Sequence, residues 1–324
     1  MNRTLGSAAA MLTLVAMAGP DPALAQGYPV KPIRIIVSVA AGGGVDTTAR
    51  IVAQQFQRAW GQQVVVENRP GAGGTIAAEA VAQSAADGHT LLMASSGHAS
   101  TATLYEKLPY DAVKDFAAVS LVAVAPSVLV VHPTLPVKSV KDLITLAKAR
   151  PGEVLFASSG NGSPAHMGMS LLQIMTGVQM VHVPYRGTAP SIIDLVAGRV
   201  WATASSVVST MPHVKAGRLR ALAVTSGQRS LAVPDLPTVA QAGVPGFAND
   251  VWYALFAPAA TPRGAVTAMH EEIARSIAQP ELRARMIAAG LEPVGNSPEV
   301  FSAYFRAEVA KWAKVIRSAG ISIN

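Results

Sequence analysis

Two glycine-rich stretches carry hydroxyls, an amide and a carboxylate at spacings that suit capture of a small anion. The first runs Ile35-Ile36-Val37-Ser38-Val39-Ala40-Ala41-Gly42-Gly43-Gly44-Val45-Asp46. A β-branched run there meets three consecutive glycines, and a helical pattern starts at once, with Asp46 placed as its N-cap. The second, Val154-Leu155-Phe156-Ala157-Ser158-Ser159-Gly160-Asn161-Gly162-Ser163-Pro164, repeats the junction with more hydroxyls. At such a strand–loop–helix junction the first N–H groups of the helix lack intrahelical partners, and the helix dipole adds positive charge. A carboxylate there gains about 0.3–1 kcal/mol, and up to about 2 kcal/mol when partly buried. Charge-assisted hydrogen bonds add to that gain. Neither loop alone binds tightly; two that face each other across a cleft would. A further polar tip, Ser95-Ser96-Gly97-His98, ends the strand Thr90-Leu91-Leu92-Met93, at the place where open α/β sheets bind ligands.

Other chemistry finds little footing. The chain has no G-x-S-x-G elbow, no phosphate-loop motif and no H-E-x-x-H pair, and the glycines at 42–44 lack the G-x-G-x-x-G spacing of a dinucleotide site. The seven histidines are not at metal-ligand spacing and read as structural, with His98 and His166 nearest the candidate loops. Acidic residues sit mostly at caps and turns, and no base–nucleophile pair emerges. No catalytic residue, metal or cofactor is therefore assigned. A binding protein is the leading reading; an exported hydrolase or isomerase on the same scaffold is the alternative.

The elements that must position these loops follow from the rest of the chain. Residues 1–25 read as a secretory signal peptide: Arg3, an apolar run from Leu5 to Ala18, and Ala23-Leu24-Ala25 as cleavage site. Gly19, Pro20 and Asp21 cut the run short of the roughly 18 residues a membrane span needs. What remains exceeds the roughly 250 residues at which single cores stop growing, so two domains are expected. Half of all residues are hydrophobic and 14% charged, which suits a well-buried α/β protein. Absence of cysteine removes disulfides and thiolate chemistry. The net charge of +7 is scattered without interleaved aromatics, which disfavours nucleic acid. It is either a plain basic surface or a field that favours anionic solutes.

In order, Ile33 to Val37 forms a strand, Asp46 to Trp60 a helix and Val64 to Val66 a second, parallel strand. Glu67 to Thr75 is another glycine loop that opens a helix over 76–85. The apolar run 116–131 divides into two strands at Pro126. Ser139 caps a helix that ends near Arg150, and Ser163-Pro164 starts one that reaches Thr176. Pro190 opens another, which stops at Gly198. Strands follow at Val181–Val183, Val200–Ala204 and Leu219–Val224. Helices begin at Thr261-Pro262 and Ser297-Pro298, the last amphipathic over Phe301 to Ile316. Crossings near residues 126–131 and 247–256 make a clamshell, with domain 1 at 26–127 plus 249–324 and domain 2 at 128–248. The last helices should pack back on domain 1. Its cleft is where ligand sites concentrate.

The chain resembles the Bug family of periplasmic solute receptors, the substrate-binding proteins related to tripartite tricarboxylate transporters. The matching stretches include Tyr28 to Arg34, Gly42 to Asp46, Val66 to Gly74, Pro109-Tyr110-Asp111, Ser158 to Ser163, His182 to Gly187, Pro212 to Gly217 and Pro234 to Thr238. The resemblance implies a type II-like periplasmic-binding-protein clamshell that closes on small carboxylates, partly through ordered water in the first loop. It also implies a periplasmic monomer, without cofactor, that serves transporter membrane subunits or a sensor. One wall would be shaped by Ser38, Ala40, Ala41, Gly42 and Asp46, with Ser95 and Ser96 beside them. Ser158, Ser159, Gly160, Asn161 and Ser163 would form the opposing wall, and Ser205 the floor. Ala41 stands where the family often has proline, and Ser205-Ser206 where it often has Asp-Asn. A neutral Ser205 disfavours a ligand amine and tolerates a second carboxylate, an aromatic acid or an amide.

Overall fold

The computed structural model describes residues 27–39, 41–105, 107–185 and 187–320. The signal-peptide reading and Ala40 lie outside the described residues. Eleven strands form two mixed sheets among the described residues. The first sheet contains β1 (Ile33–Val37), β2 (Val64–Asn68), β3 (Thr90–Ser95), β4 (Phe116–Val124), β10 (Trp252–Pro258) and β11 (Glu292–Pro293). Its order is β11-β4-β10-β3-β1-β2. The second contains β5 (Ser127–Val131), β6 (Leu155–Ser158), β7 (Val181–Pro184), β8 (Ala202–Ser206) and β9 (Arg220–Val224), in the order β7-β6-β8-β5-β9. β1 pairs in parallel with β2 and β3, and β6 with β7 and β8. β10 and β5 run antiparallel to their neighbours.

Strands covered on both faces read as unbroken apolar runs rather than alternating ones. Ile33, Ile35, Ile36 and Val37 are accordingly all buried. Helix α1 (Gly44–Trp60) lays Ile51, Val52 and Phe56 against them and ends at Gly61 in the left-handed region. The chain passes between sheets at Ala125-Pro126 and again over residues 225–251, so Pro126 does divide the apolar run. The terminal helix α10 (Pro298–Ala319), capped by Ser297, packs on α3 (Gly97–Leu104), on β4 and on α5 (Pro164–Thr176). One apolar cluster joins Leu92, Leu121 and Phe256 of the first sheet to Leu129, Phe156 and Leu222 of the second. Met167 and Met169 of α5 belong to it, with Phe301, Phe305 and Trp312 of α10.

Several expectations shift. The N-cap of α1 is Gly43, and Asp46 sits in its first turn. Helix α6 (Thr188–Val196) opens at Thr188, two residues before Pro190. Helix α3 and the helices Val207–Lys215 and Pro280–Ala288 were not anticipated. The α3 sequence, Gly-His-Ala-Ser-Thr-Ala-Thr-Leu, shows no apolar stripe because its buried face carries His98, Ser100 and Thr101 beside Ala99 and Leu104. Its hydroxyls fold back on their own turn, Ser100 Oγ to Gly97 O at 2.8 Å and Thr101 Oγ1 to His98 O at 2.9 Å.

Candidate functional site

A cavity of about 770 Å³ lies between the loops that follow β1, β2 and β3 of the first sheet and β6 of the second. Ser38, Val39 and Ser95 contribute from strand ends of the first sheet, and α3 adds Ser100, Thr101 and Leu104. The other side is the run from Ser159 to Pro164, at the N-terminus of α5, with Gly187 beside it. Ser163 caps α5 by accepting from His166 N at 3.3 Å, and Pro164 takes the first helical position. Among the described residues the lining carries no charged side chain. Hydroxyls, one side-chain amide and the positive end of a helix dipole therefore supply the polar field.

Of the residues singled out in sequence, Ser38, Ser95, Ser159, Gly160, Asn161 and Ser163 come together around this cavity. Ala41, Gly42, Asp46, Ser96, Ser158 and Ser205 are not in its lining. Asp46 is buried and fully engaged. Its carboxylate accepts from Gly42 N at 3.0 Å, Asn68 Nδ2 at 2.9 Å and Arg50 Nε at 2.9 Å. Burial works to raise its pKa, but hydrogen bonds from Arg50, Gly42 and Asn68 outweigh that and hold it below the usual carboxylate range. Asn68 also donates to Val39 O at 3.0 Å. Asp46 thus acts through the backbone of the first loop. Gly44 is required by packing, since a Cβ there would lie 2.4 Å from the Tyr253 hydroxyl. Ser205 is buried in β8, opposite Val128 of β5.

Ser158 has a comparable supporting role in the second loop. Its Oγ lies 2.6 Å from His182 Nε2, accepts from Gly160 N at 3.1 Å and lies 3.0 Å from Gly160 O. His182 stacks on His166 with ring centroids 3.9 Å apart and planes 8° from parallel, and on Phe156 at 5.0 Å. His166 Nδ1 accepts from Gly162 N at 3.1 Å, so the stack reaches the loop backbone twice. Burial lowers both imidazoles to about 4, and the neighbouring His182 adds to the effect on His166, so both are neutral at neutral pH. Ser158 and His182 are at the spacing of a nucleophile and its base. Ser158, however, is fully buried and absent from the cavity lining, so a substrate has no access to it.

The third glycine loop, read in the sequence as opening a helix but not as part of the site, belongs to it. Pro70 to Gly74, which includes a short 3-10 turn at Ala72–Gly74, lines the cavity, and so does Tyr105. The signal was present: Pro70-Gly71-Ala72-Gly73-Gly74 follows a strand and opens helix α2 (Thr75–Ala82), as the other two glycine loops do. A second hold on the site comes from the crossing segment. Asn249 Nδ2 donates to Pro164 O at 3.0 Å, while Thr225 Oγ1 donates to Asn249 O at 3.1 Å.

The family model described as tripartite tricarboxylate transporter family receptor matches residues 48–321. Protein BugT of Bordetella pertussis is 38% identical over 305 residues, which cover 94% of each chain. Among solved structures, Rhodopseudomonas palustris Rpa4515 with adipate is 37% identical, with a TM-score of 0.83 over 91% of this chain and 99% of its own. MatC (Rpa3494) of the same organism, with bound malate, is 32% identical, with a TM-score of 0.78 over 89% and 100%.

Proposed function

The chain belongs to the tripartite tricarboxylate transporter receptor family, which consists of solute-binding receptors with a type II periplasmic-binding-protein fold, and from that premise we propose the following role. It captures a small carboxylate outside the cytoplasm, after export by its leader, and delivers it to transporter membrane subunits or a sensor as a monomer. The ligand carboxylate is held by Ser159, Asn161 and Ser163 at the N-terminus of α5, and faces Ser38 and Ser95 across the cavity. The observation that carries this reading is the convergence of hydroxyls, an amide and a helix N-terminus on one cavity between two sheets. No chemistry is done on the ligand. The adipate and malate held by two relatives are both dicarboxylates, in keeping with such a cavity. Residues 26–127 with 249–324, and 128–248, serve as the two halves that approach one another on binding.

The test is a thermal-shift screen of dicarboxylates, aromatic acids, amino acids and amides on the mature chain. A ligand at about 100 times its Kd stabilises the folded state by about 2.7 kcal/mol, and the shift grows with the logarithm of concentration. A carboxylate should produce that shift, and Ser159→Ala with Asn161→Ala should abolish it. Stabilisation by a neutral or cationic solute, with no response to any carboxylate, would sink the reading.

A further inference from the structure

A second cavity, also about 770 Å³, shares no residue with the first. One stripe of α1, carrying Arg50, Gln54 and Arg58, forms one wall; Val64 and Val66 of β2 form another, and Arg285 reaches in from the helix Pro280–Ala288. Among the described residues β2 is the last strand of its sheet, paired with β1 on one side only. Exposed edges are usually guarded by lysine, proline or a bulge. Val64-Val65-Val66 has none of these, and Val65 is 41% exposed. The groove is basic, and no acid lines it among the described residues. Glu67 of β2 falls on the alternate face with Val65, where Arg69 at 2.6 Å and Arg34 at 3.4 Å engage it. Two-fold edge pairing with a second copy would set this arginine groove against itself, which charge repulsion opposes.

The groove is also in hydrogen-bonded contact with the ligand loop. Arg50 donates through Nε to Asp46 and through a terminal nitrogen to Asn68 Oδ1 at 3.4 Å. Asn68 in turn holds Val39 O, and Val39 lines the ligand cavity. A carboxylate arriving at Arg50 would compete with Asp46 and Asn68 for the guanidinium.

We infer that this groove is a docking strip for an acidic, extended segment of a partner protein, which adds as a strand to β2 while its carboxylates meet Arg58, Arg285 and Arg50. Main-chain hydrogen bonds would supply affinity and the arginines selectivity, as in other strand-addition interfaces.

Fluorescence anisotropy on the mature chain tests this with a labelled short peptide of alternating glutamate and valine. The peptide should bind, lose affinity as salt rises, and bind about tenfold or more weakly to the double variant Arg58→Glu/Arg285→Glu. Both side chains are exposed and each closes the last turn of its helix, so the variant should melt slightly lower than wild type, still cooperatively, and keep the carboxylate-induced thermal shift. That retained shift separates this inference from the ligand-capture reading. Absence of binding at low salt, equal binding to the variant, or equal binding of a lysine–valine peptide would overturn it. Equal binding of the same glutamate–valine peptide with every backbone amide N-methylated, which cannot donate to a strand, would overturn strand addition. A dimer of the chain that Val65→Lys abolishes would assign the edge to a second copy instead.

Discussion

His98→Phe should remove one separable part of this protein's sensitivity to acid, beside those of His166, His182 and the hydrogen-bonded aspartates. His98 is 5% exposed on the buried helix α3, and Nε2 has no hydrogen-bond partner among the described residues. Aromatic rings surround it: Phe305 stacks at 5.5 Å, and Phe116 and Phe256 meet it edge-on at 5.1 and 5.2 Å. Burial alone lowers its pKa from 6.5 to about 4. Above about pH 6.5 the imidazole is neutral in both folded and unfolded chains and the full stability is present. As pH falls, the unfolded chain takes up a proton that the native state accepts only near its own pKa of about 4. Stability is therefore lost across that window and levels off below it. At 1.36 kcal/mol per pKa unit, the loss attributable to this one residue reaches about 2 kcal/mol by about pH 5 and about 3 kcal/mol below about pH 4. Phenylalanine keeps the aromatic packing and cannot bind the proton. Urea unfolding of both proteins at about pH 7.5 and about pH 5 gives the difference of differences, which cancels any packing cost common to both conditions. The variant should gain about 2 kcal/mol on the wild type between those conditions. A stability gap between the two proteins that does not change with pH would refute the reasoning.

Three further outcomes follow from contacts around the site. Asp46→Ala strips partners from Gly42 N and Asn68 and should cost about 2–4 kcal/mol of stability while weakening ligand binding, measured by denaturation and calorimetry; binding equal to wild type would show that the first loop needs no anchor. Ser158→Ala removes the hydroxyl shared by Gly160 and His182, and should cost about 1–3 kcal/mol and weaken ligand binding with no turnover to lose. Gly168→Ala would place a Cβ 2.1 Å from Asn249 Nδ2, and should cost about 1–3 kcal/mol by displacing the amide that holds Pro164 O; an unchanged melting temperature would show that this contact yields freely.

Legibility in the sequence depended on whether one segment held the whole signal. Ser163-Pro164 and Ser297-Pro298 are complete in themselves, and both helices start where those pairs place them. The β-branched runs of β1 and β2, and the break at Pro126, are local in the same way. Asp46 shows the limit. An acid beside three glycines looks like a cap, and only the fold brings Asn68 to its second oxygen. His182 lies 24 residues from Ser158, and neither sequence neighbourhood points to the other. Helix α3 hid for a related reason: a buried face built partly from His98, Ser100 and Thr101 leaves no apolar periodicity to count. Side chains that line the cavity were therefore readable where they share a segment, as Ser159, Asn161 and Ser163 do. They were unreadable where, like Tyr105, they arrive on an element with no chemical signature.

The position of β10 has a consequence for the order in which the molecule can assemble. This strand, near the C-terminal end of the chain, lies in the middle of the first sheet between β3 and β4. Until residues 252–258 exist, β3 keeps an open edge and β4, whose other neighbour β11 comes later, has no partner in the sheet that carries Ser38 and Ser95. α10, which covers α3 and α5, comes later still. A ribosome or a membrane channel therefore releases a chain that cannot complete its first sheet until nearly all of it has emerged. If the chain is exported as proposed above, late placement of the central strand is a delay to folding written into the topology.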